Sequence, residues 1–213
     1  CEGTGLQYSE SVQDIIGEPV KQILGALDTS FHGMGREDID VRCLGSGRPF
    51  VLEIKNPRLR EFELSEIEKK INSNEPEKVR VNSLKWCTKK DVSRVKETRS
   101  EKSYTIRFKI DNPISEQEVV KSIEALSGVT IEQETPKRVS HRRAAKTRKR
   151  RVTSISNILV EEDEIQFSLR CEAGTYVKEL VHSDEGRTTP SVSSVIEREC
   201  VVLWLDVDEI HAD

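Results

Sequence analysis

Three carboxylates lie within four residues of this chain, at Glu37, Asp38 and Asp40, with Arg36 directly before them and Arg48 shortly after. An arginine beside an acid favours the charged form of the acid, and nearby glycines let the backbone approach a ligand closely. This combination is typical of a site that holds a reactive, ionised carboxylate. The alternative is a solvated turn, because acidic clusters usually lie at the surface.

A second pattern starts from the same cluster. In metal-dependent nucleases a carboxylate is followed on the next strand by Glu-x-Lys, where the acids bind a divalent cation and the lysine positions or activates water. Asp40, with Glu53 and Lys55 at a strand predicted over residues 49–54, has this arrangement. The pattern is short and often arises by chance, so it supplies only a second hypothesis.

Residues 137–151, called here the basic segment, contain nine Lys or Arg residues and no acid. The whole chain has a net charge of -4, so the remainder carries 25 basic against 38 acidic residues, a net charge of -13. Such a segment on an acidic body predicts a local contact with a polyanion, driven by counterion release. The alternatives are a solvated connection or a nuclear-localisation-like segment. Because the segment is internal, we favour contact with RNA or DNA, with the segment laid along the backbone as a strand or hairpin.

Residues 173–180 read Ala-Gly-Thr-Tyr-Val-Lys-Glu-Leu, at a predicted junction between a strand and a helix. Gly174 would let the helix begin close to a neighbouring backbone. Lys178, on the first turns of that helix, could then reach a site beside the end of the strand. On physical grounds alone, a lysine in such a position is more often a surface residue.

Alternating polarity predicts the strands that must position these residues. The clearest strand has Tyr104, Ile106, Phe108 and Ile110 on one face and polar residues on the other. Further strands are predicted at residues 129–133, 152–160, 165–172 and 198–207, and weaker ones at 62–64 and 79–87.

Helices are predicted at residues 65–72, at 175–182, and between Ser115 and Gly128, where Ser115 and Glu118 form a capping box. Residues 192–196 are expected to be helical or irregular, and Pro19 is expected to divide residues 11–25 into two short helices. Strands joined by short turns, with a few helices, predict an α+β protein with a mixed, mostly antiparallel central sheet flanked by helices. The length of 213 residues fits one large domain or two small subdomains.

Composition narrows the class of protein. Charged residues make up 34%, aromatic residues 5%, and the mean hydropathy is -0.57, which is typical of a polar, soluble protein. No segment is long and apolar enough to span a bilayer, and no signal peptide is visible. Five scattered cysteines, an odd number, predict reduced thiols and a cytoplasmic location, with no membrane partner.

Together, these motifs resemble the pseudouridine synthases. The resemblance covers about residues 11–207, and within that superfamily the chain looks like the archaeal and eukaryotic tRNA pseudouridine synthases of the T arm, which carry an N-terminal THUMP-containing domain. It is based on the Gly-Arg-Glu-Asp-x-Asp motif at residues 35–40, Arg-Pro-Phe at 48–50, Tyr104 in its alternating strand, Thr-Pro-x-Arg-x-x-His-Arg-Arg at 135–143, and Gly-Thr-Tyr-Val-Lys-Glu-Leu at 174–180. The last motif is similar to Gly-Thr-Tyr-Ile-Arg-x-Leu of the TruB-type branch, and the Arg-Glu-Asp around Asp38 is similar to Arg-Thr-Asp of the TruA-type branch.

The resemblance implies isomerisation of uridine to pseudouridine. In this reaction the glycosidic bond opens and the base rejoins the ribose through C5. Asp38 would be the nucleophile or base, and Lys178 would hold it in the ionised form. Tyr104 would stack on the extruded base and help to remove the C5 proton. Lys178 stands where the TruB-type branch has arginine, which keeps the charge but loses bidentate geometry.

The resemblance also implies roles in substrate binding. Leu180 would pack beneath the site, and Arg36 would contact RNA or fill the space left by the flipped uridine. The other residues expected to bind substrate or RNA are Arg48, Tyr176, Arg138, Arg142, Arg143, Arg148 and Arg150.

The implied fold is the pseudouridine synthase fold with two subdomains, over residues 11–213. Residues 1–10 would be a remnant of an upstream domain or linker, and the family's THUMP-containing domain would be absent. The implied substrate is the T arm of tRNA, at positions 54 and/or 55, without a metal, an organic cofactor or an obligatory protein partner. Two other hypotheses remain open: the metal-dependent nuclease and a non-catalytic RNA-binding module.

Overall fold

The computed structural model describes residues 10–212, apart from the side chain of Arg142. The predicted remnant at residues 1–10 therefore lies, except for Glu10, outside the described residues. The chain forms two compact units, of which the first contains residues 10–34 and 49–97 and the second contains residues 35–48 and 98–212. This division places the acidic cluster in the second unit, together with the other residues to which the resemblance to pseudouridine synthases assigns catalysis or RNA binding.

The secondary structure is mixed α and β throughout. In chain order the elements are α1 (Val12–Leu24), β1 (Asp28–Gly33), β2 (Arg42–Cys43), β3 (Phe50–Lys55), α2 (Leu64–Asn74), α3 (Lys89–Glu97), β4 (Lys102–Ile110), α4 (Glu116–Glu124), β5 (Thr130–Gln133), a 3₁₀ helix at Lys137–Arg142, β6 (Arg148–Glu161), β7 (Glu164–Cys171), α5 (Val177–His182), β8 (Thr188–Thr189), α6 (Val192–Ile196) and β9 (Cys200–Ile210). No helix among the described residues is both long and apolar enough to cross a membrane.

The first unit contains α1, α2 and α3 and the antiparallel pair β1–β3. The prediction that Pro19 splits the first helix is wrong, because α1 is continuous through it. Proline cannot donate the hydrogen bond to the carbonyl four residues earlier. The side chain of Asn74 donates to that carbonyl, Ile15 O, at 3.3 Å, so the break in the backbone ladder leaves no unpaired group there.

The strands predicted at residues 62–64 and 79–87 are also absent. Helix α2 already begins at Leu64. Val81 N donates to Asn72 Oδ1 at 2.7 Å, and Asn72 Nδ2 donates to Val81 O at 2.8 Å. A side-chain amide thus pairs with the backbone that the prediction assigned to a neighbouring strand. Conversely, the polar strand β1 has no clear alternation and was not predicted.

The second unit is built on a seven-stranded sheet in the order β2-β9-β4-β7-β6-β5-β8. All neighbouring strands are antiparallel except β2 and β9, which are parallel. The predicted mixed, mostly antiparallel sheet is therefore confirmed. The alternation predicted for β4 is also correct, and its buried face continues to Lys102 at the start of the strand.

Aromatic packing holds the middle of this sheet. Phe108 on β4 and Phe167 on β7 are fully buried, with ring centroids 6.0 Å apart and planes at 76°. Edge-to-face pairs of this kind add to the stabilisation from burial alone. Helix α4 packs near β6 and begins at the predicted capping box, in which Ser115 and Glu118 satisfy each other's backbone N–H groups.

We expect Phe108→Ala to lower the free energy of unfolding by about 3–5 kcal/mol, because it leaves a cavity at the centre of the sheet and removes the ring pair. Val201→Ala, on an exposed position of β9, should change it by less than about 0.5 kcal/mol. Urea denaturation followed by far-UV circular dichroism measures both. Equal effects of the two substitutions would contradict the assignment of this core.

Candidate active site

The acidic loop between β1 and β2 is attached to the second unit's sheet through Glu37. This carboxylate accepts hydrogen bonds from Arg48 Nη2 at 3.1 Å and from Lys102 Nζ at 3.2 Å. All three side chains are largely buried, and Lys102 lies on the inward face of β4. A carboxylate between two cations at the base of a loop fixes the loop's position on the sheet.

Gly35 is required where this loop enters the unit. Its φ is +83°, in the region that favours glycine, and a Cβ there would lie 2.7 Å from Lys102 Nζ and 2.9 Å from Arg48 Nη1. The loop therefore runs against the two cations that bind Glu37, without room for a side chain between them.

Tyr104 lies two residues after Lys102 on the same face of β4 and is 3% exposed. Burial, reinforced by the negative charge of Glu37, raises the pKa of its hydroxyl above the ordinary value. The hydroxyl is therefore neutral at physiological pH. With so little surface exposed, the ring forms part of the packed interior beside the acidic loop in this conformation.

Asp38 is more accessible, with 31% of its side chain exposed. Arg138 Nη1, from the 3₁₀ helix, donates to Asp38 Oδ2 at 2.6 Å. Lys178 Nζ, from α5, lies 3.7 Å from the same oxygen. Two cations from different parts of the chain thus converge on the carboxylate that the sequence predicts to be reactive.

Lys178 makes its shorter contacts with Asp40, whose two carboxylate oxygens accept its hydrogen bonds at 2.8 and 2.7 Å. Partial burial works against ionisation of Asp40, but the hydrogen bond and charge of Lys178 outweigh it and lower the pKa of the carboxyl. The sequence predicted Lys178 as the direct partner of Asp38. In the structure Lys178 is primarily the partner of Asp40.

Glu179 binds the guanidinium of Arg138 at the two nitrogens that do not contact Asp38. Glu179 Oε1 accepts from Arg138 Nε at 2.6 Å and Glu179 Oε2 accepts from Arg138 Nη2 at 3.2 Å. Glu179 is only 1% exposed, although it is a charged residue on a short helix. Burial works against the charged guanidinium, yet hydrogen bonds and charge from Glu179 and Asp38 raise the pKa of Arg138 above its ordinary value.

The start of α5 is positioned by Gln133 on β5, which is 1% exposed. Its side chain accepts from Tyr176 N and donates to Tyr176 O, both at 2.9 Å. This double contact fixes the turn from which Lys178 and Glu179 project. Gly174, earlier in that turn, has a φ of +81°, and the guanidinium of Arg150 lies close to it.

The basic segment is not the strand or hairpin that the sequence predicts along its whole length. It begins as the 3₁₀ helix Lys137–Arg142 and joins the sheet only at Arg148. Between them Thr135 closes the loop, because its hydroxyl donates to Ala144 O at 2.7 Å and accepts from Lys146 N at 3.1 Å. The fold of the segment thus directs Arg138 towards Asp38.

The side chain of Arg142, also predicted to bind RNA, lies outside the described residues, and the remaining predicted residues fall into three groups. Arg36 and Arg143 are exposed. Tyr176 is half-buried and Leu180 is fully buried, so Leu180 contributes packing within the unit. Arg148 donates to the Thr135 hydroxyl at 3.1 Å, which makes it part of the loop closure.

The residues of the predicted nuclease site have other partners. Glu53 contacts His32 at 3.3 Å and Lys55 contacts Asp28 at 3.1 Å, both within the first unit, whereas Asp40 pairs with Lys178 in the second. Among the described residues, no three or more His, Cys, Asp or Glu side chains are grouped to hold a metal ion. The structure therefore offers no support for that hypothesis.

Sequence reasoning missed Lys102, the role of Gln133 and the pairing of Arg138 with Glu179, and it did not name the partners of Glu37. Two signals were available. Lys102 continues the inward alternation of β4, and Glu179 lies directly before the buried Leu180 and Val181 on α5. A charged residue in a buried pattern predicts a buried partner.

We expect Gly35→Ala to lower the free energy of unfolding by about 1–3 kcal/mol through backbone strain, and by a further amount because the new Cβ would meet Lys102 and Arg48. Gly47→Ala, in the following loop between β2 and β3, is a matched control for the backbone strain, because its φ is +78° and a Cβ there meets nothing within 4 Å. Chemical denaturation of both variants measures the difference. If the control is as destabilised as Gly35→Ala, the close approach of the loop to the two cations is not as described.

The Asp40–Lys178 pair predicts a pH dependence of stability. The pKa of Asp40 in the folded protein is below its ordinary value of 3.8, so the pair stabilises the fold above about pH 4 and this contribution is lost as the pH falls through the lowered pKa. Because Asp40 is well exposed, we expect less than about 1 kcal/mol at pH 7. The gap in unfolding free energy between wild type and Asp40→Asn should therefore narrow from pH 7 to pH 2. A gap that widens on acidification would contradict this description.

Solved structures share the fold of this chain. A chain of a Cbf5-Nop10-Gar1 complex aligns with a TM-score of 0.59 and 17% identity, covering 93% of this chain and 44% of that one. A chain of an H/ACA RNP bound to a substrate RNA containing 2'-deoxyuridine aligns with a TM-score of 0.51 and 15% identity, covering 90% of this chain and 41% of that one. At these identities the likeness concerns the fold alone.

Sequence comparison identifies the family as well as the fold. The family described as "Pus10, C-terminal" matches residues 1–211. The tRNA pseudouridine synthase Pus10 of Methanocaldococcus jannaschii is 41% identical over 211 residues, covering 99% of this chain, and that of Methanothrix thermoacetophila is 42% identical over 210 residues, also covering 99%. The chain spans about half the length of these curated relatives, 46% in each case. The resemblance predicted from the motifs is thus confirmed, and the chain belongs to the Pus10 C-terminal family.

Proposed function

We propose that this chain catalyses the isomerisation of uridine to pseudouridine in tRNA, with Asp38 as the reacting carboxylate. The observation that carries the proposal is the partly exposed Asp38 between Arg138 and Lys178. Relatives about 40% identical over nearly the whole chain are named tRNA pseudouridine synthases, which supports the same reaction here.

The site contains the groups that this isomerisation needs. As nucleophile or base, Asp38 must be negatively charged, and its carboxylate faces the guanidinium of Arg138 and the ammonium of Lys178. The bond between ribose C1' and N1 of the base breaks, the base rotates, and a bond between C1' and C5 forms. The proton lost from C5 is balanced by a proton gained at N1, so no other reactant is consumed. Tyr104 lies in the wall beside the acidic loop.

The surface around the site fits a nucleic-acid substrate. Arg36 and, within the basic segment, Arg143 and Lys146 are exposed, and none has an acidic partner among the described contacts. Phosphate groups of an RNA backbone would supply such partners, with a binding strength that falls steeply with salt. We propose the T arm of tRNA as the substrate, at position 54 and/or 55. Extrusion of the uridine from that arm would bring it to Asp38.

We expect Asp38→Asn to lower the rate of uridine isomerisation by at least about 1,000-fold, because the amide can act neither as nucleophile nor as base. The substrate is unmodified tRNA labelled with tritium at uridine C5, in buffer containing EDTA. Release of tritium reports loss of the C5 hydrogen, and mapping of pseudouridine gives the position. Binding of the tRNA by this variant should stay within about threefold of wild type, since Asp38 is not a phosphate contact.

Asp163→Asn is the matched control, because Asp163 also pairs with a lysine, Lys109, but at a turn between β6 and β7. It should keep the wild-type rate. Wild-type activity in Asp38→Asn would contradict the assignment. Strand scission that EDTA abolishes would favour the nuclease, and tRNA binding without any chemistry in the wild type would favour a non-catalytic RNA-binding module.

A further inference from the structure

Arg138 belongs to the basic segment, but its contacts differ from those expected of a phosphate-binding arginine. Three of its nitrogens are engaged by carboxylates of the protein: Nε and Nη2 by Glu179, and Nη1 by Asp38. By contrast Lys137, the preceding residue, pairs with Glu185 at the surface. Although 37% of its side chain is exposed, the guanidinium of Arg138 is thus engaged by carboxylates of the protein itself.

Glu179 explains why Arg138 keeps this orientation. Its carboxylate is almost completely buried, and Arg138 is its only ion-pair partner among the described contacts. Leaving a carboxylate buried without a cation costs far more free energy than an ion pair at the water-exposed surface contributes. Withdrawal of Arg138 from Glu179 is therefore strongly disfavoured, and a planar guanidinium held at two nitrogens also has its third nitrogen fixed in direction.

Lys178 has a different relation to Asp38. Its ammonium lies between 2.7 and 2.8 Å from both oxygens of Asp40 and 3.7 Å from Asp38. An ammonium on a flexible stem also lacks the fixed fork of a guanidinium. Asp38 thus has one short, directional contact, with Arg138, and one longer contact, with Lys178.

From this geometry we infer that Arg138 is a positioning residue for Asp38, and that Glu179 acts through it as the buried anchor. The reactive carboxylate is oriented by the chain Glu179–Arg138–Asp38, while Lys178 orients Asp40 and the far side of the loop. This inference depends on the proposed function in so far as Asp38 is the reacting group. It assigns to Arg138 the role that the family resemblance gives to Lys178.

The kinetic test compares Arg138→Ala with Arg107→Ala in single-turnover isomerisation of tRNA uridine. Arg107 is a matched control, because it also bridges two carboxylates, Glu164 and Glu161, each at 2.6 Å. A displaced reacting group lowers the rate on the order of 100-fold, so we expect that loss in the maximal rate for Arg138→Ala. The tRNA concentration that gives half of the maximal rate should change less than about threefold. Arg107→Ala should retain the wild-type rate.

Chemical rescue separates positioning from general damage to the fold. Free guanidinium should restore part of the activity of Arg138→Ala, whereas tetramethylammonium at the same concentration should not. If Arg138→Ala does not fold, Arg138→Lys replaces it. This variant keeps the charge but cannot reach both carboxylates in the same plane, so its maximal rate should still fall at least about tenfold. A change confined to half-saturating tRNA would overturn the inference and leave Arg138 as an RNA contact.

A second measurement needs no activity. The guanidinium ¹⁵N signals of Arg138, assigned by their loss in Arg138→Lys, should shift in Asp38→Asn and remain unchanged in Asp40→Asn. The opposite pattern would overturn the inference whether or not the chain modifies tRNA. If the wild-type chain has no isomerase activity but the ¹⁵N signals shift as expected, the proposed function is wrong and the Glu179–Arg138–Asp38 arrangement still holds.

Discussion

A buried carboxylate requires a cation beside it, and in this protein the ion pair between Glu179 and Arg138 determines the arrangement of the candidate active site. Glu179 lies on a short helix among apolar side chains, and Arg138 satisfies it with two hydrogen bonds. Removing one partner from a fully buried pair costs about 3–5 kcal/mol, and the partial exposure of Arg138 places this pair below that limit. The free end of the guanidinium then meets Asp38, so an interaction that stabilises the interior also sets the orientation of the proposed reacting group.

The acidic loop is fixed at its other end by the same principle. Glu37 lies between Arg48 and Lys102, and Lys102 belongs to the buried face of β4. Asp38 is therefore the middle of a stretch whose neighbours are both restrained, Glu37 by the sheet and Asp40 by Lys178. Such support from surrounding charges keeps a reactive side chain in place before the substrate arrives, which lowers the cost of reorganisation during the reaction.

Much of this arrangement could be read from local patterns. The alternation of β4 and the capping box of α4 were both predicted correctly, because each depends on neighbouring residues alone. The continuous α1, the missing strand at residues 79–87 and the partner of Lys178 could not be predicted in this way. Each depends on a side chain outside the local pattern: Asn74 for Pro19, Asn72 for Val81, and Asp40 for Lys178. The inward lysine and glutamate were visible as exceptions to the pattern, but their partners were not.

The most direct test of the account is a double-mutant cycle between Glu179 and Arg138, read out as the single-turnover rate of uridine isomerisation in tRNA. If Glu179 acts on Asp38 only through Arg138, then Glu179→Gln slows the wild type strongly but has no further effect in an Arg138→Met background. The two substitutions would then be coupled almost completely. Additive effects, with Glu179→Gln slowing the Arg138→Met variant as much as it slows the wild type, would contradict the account.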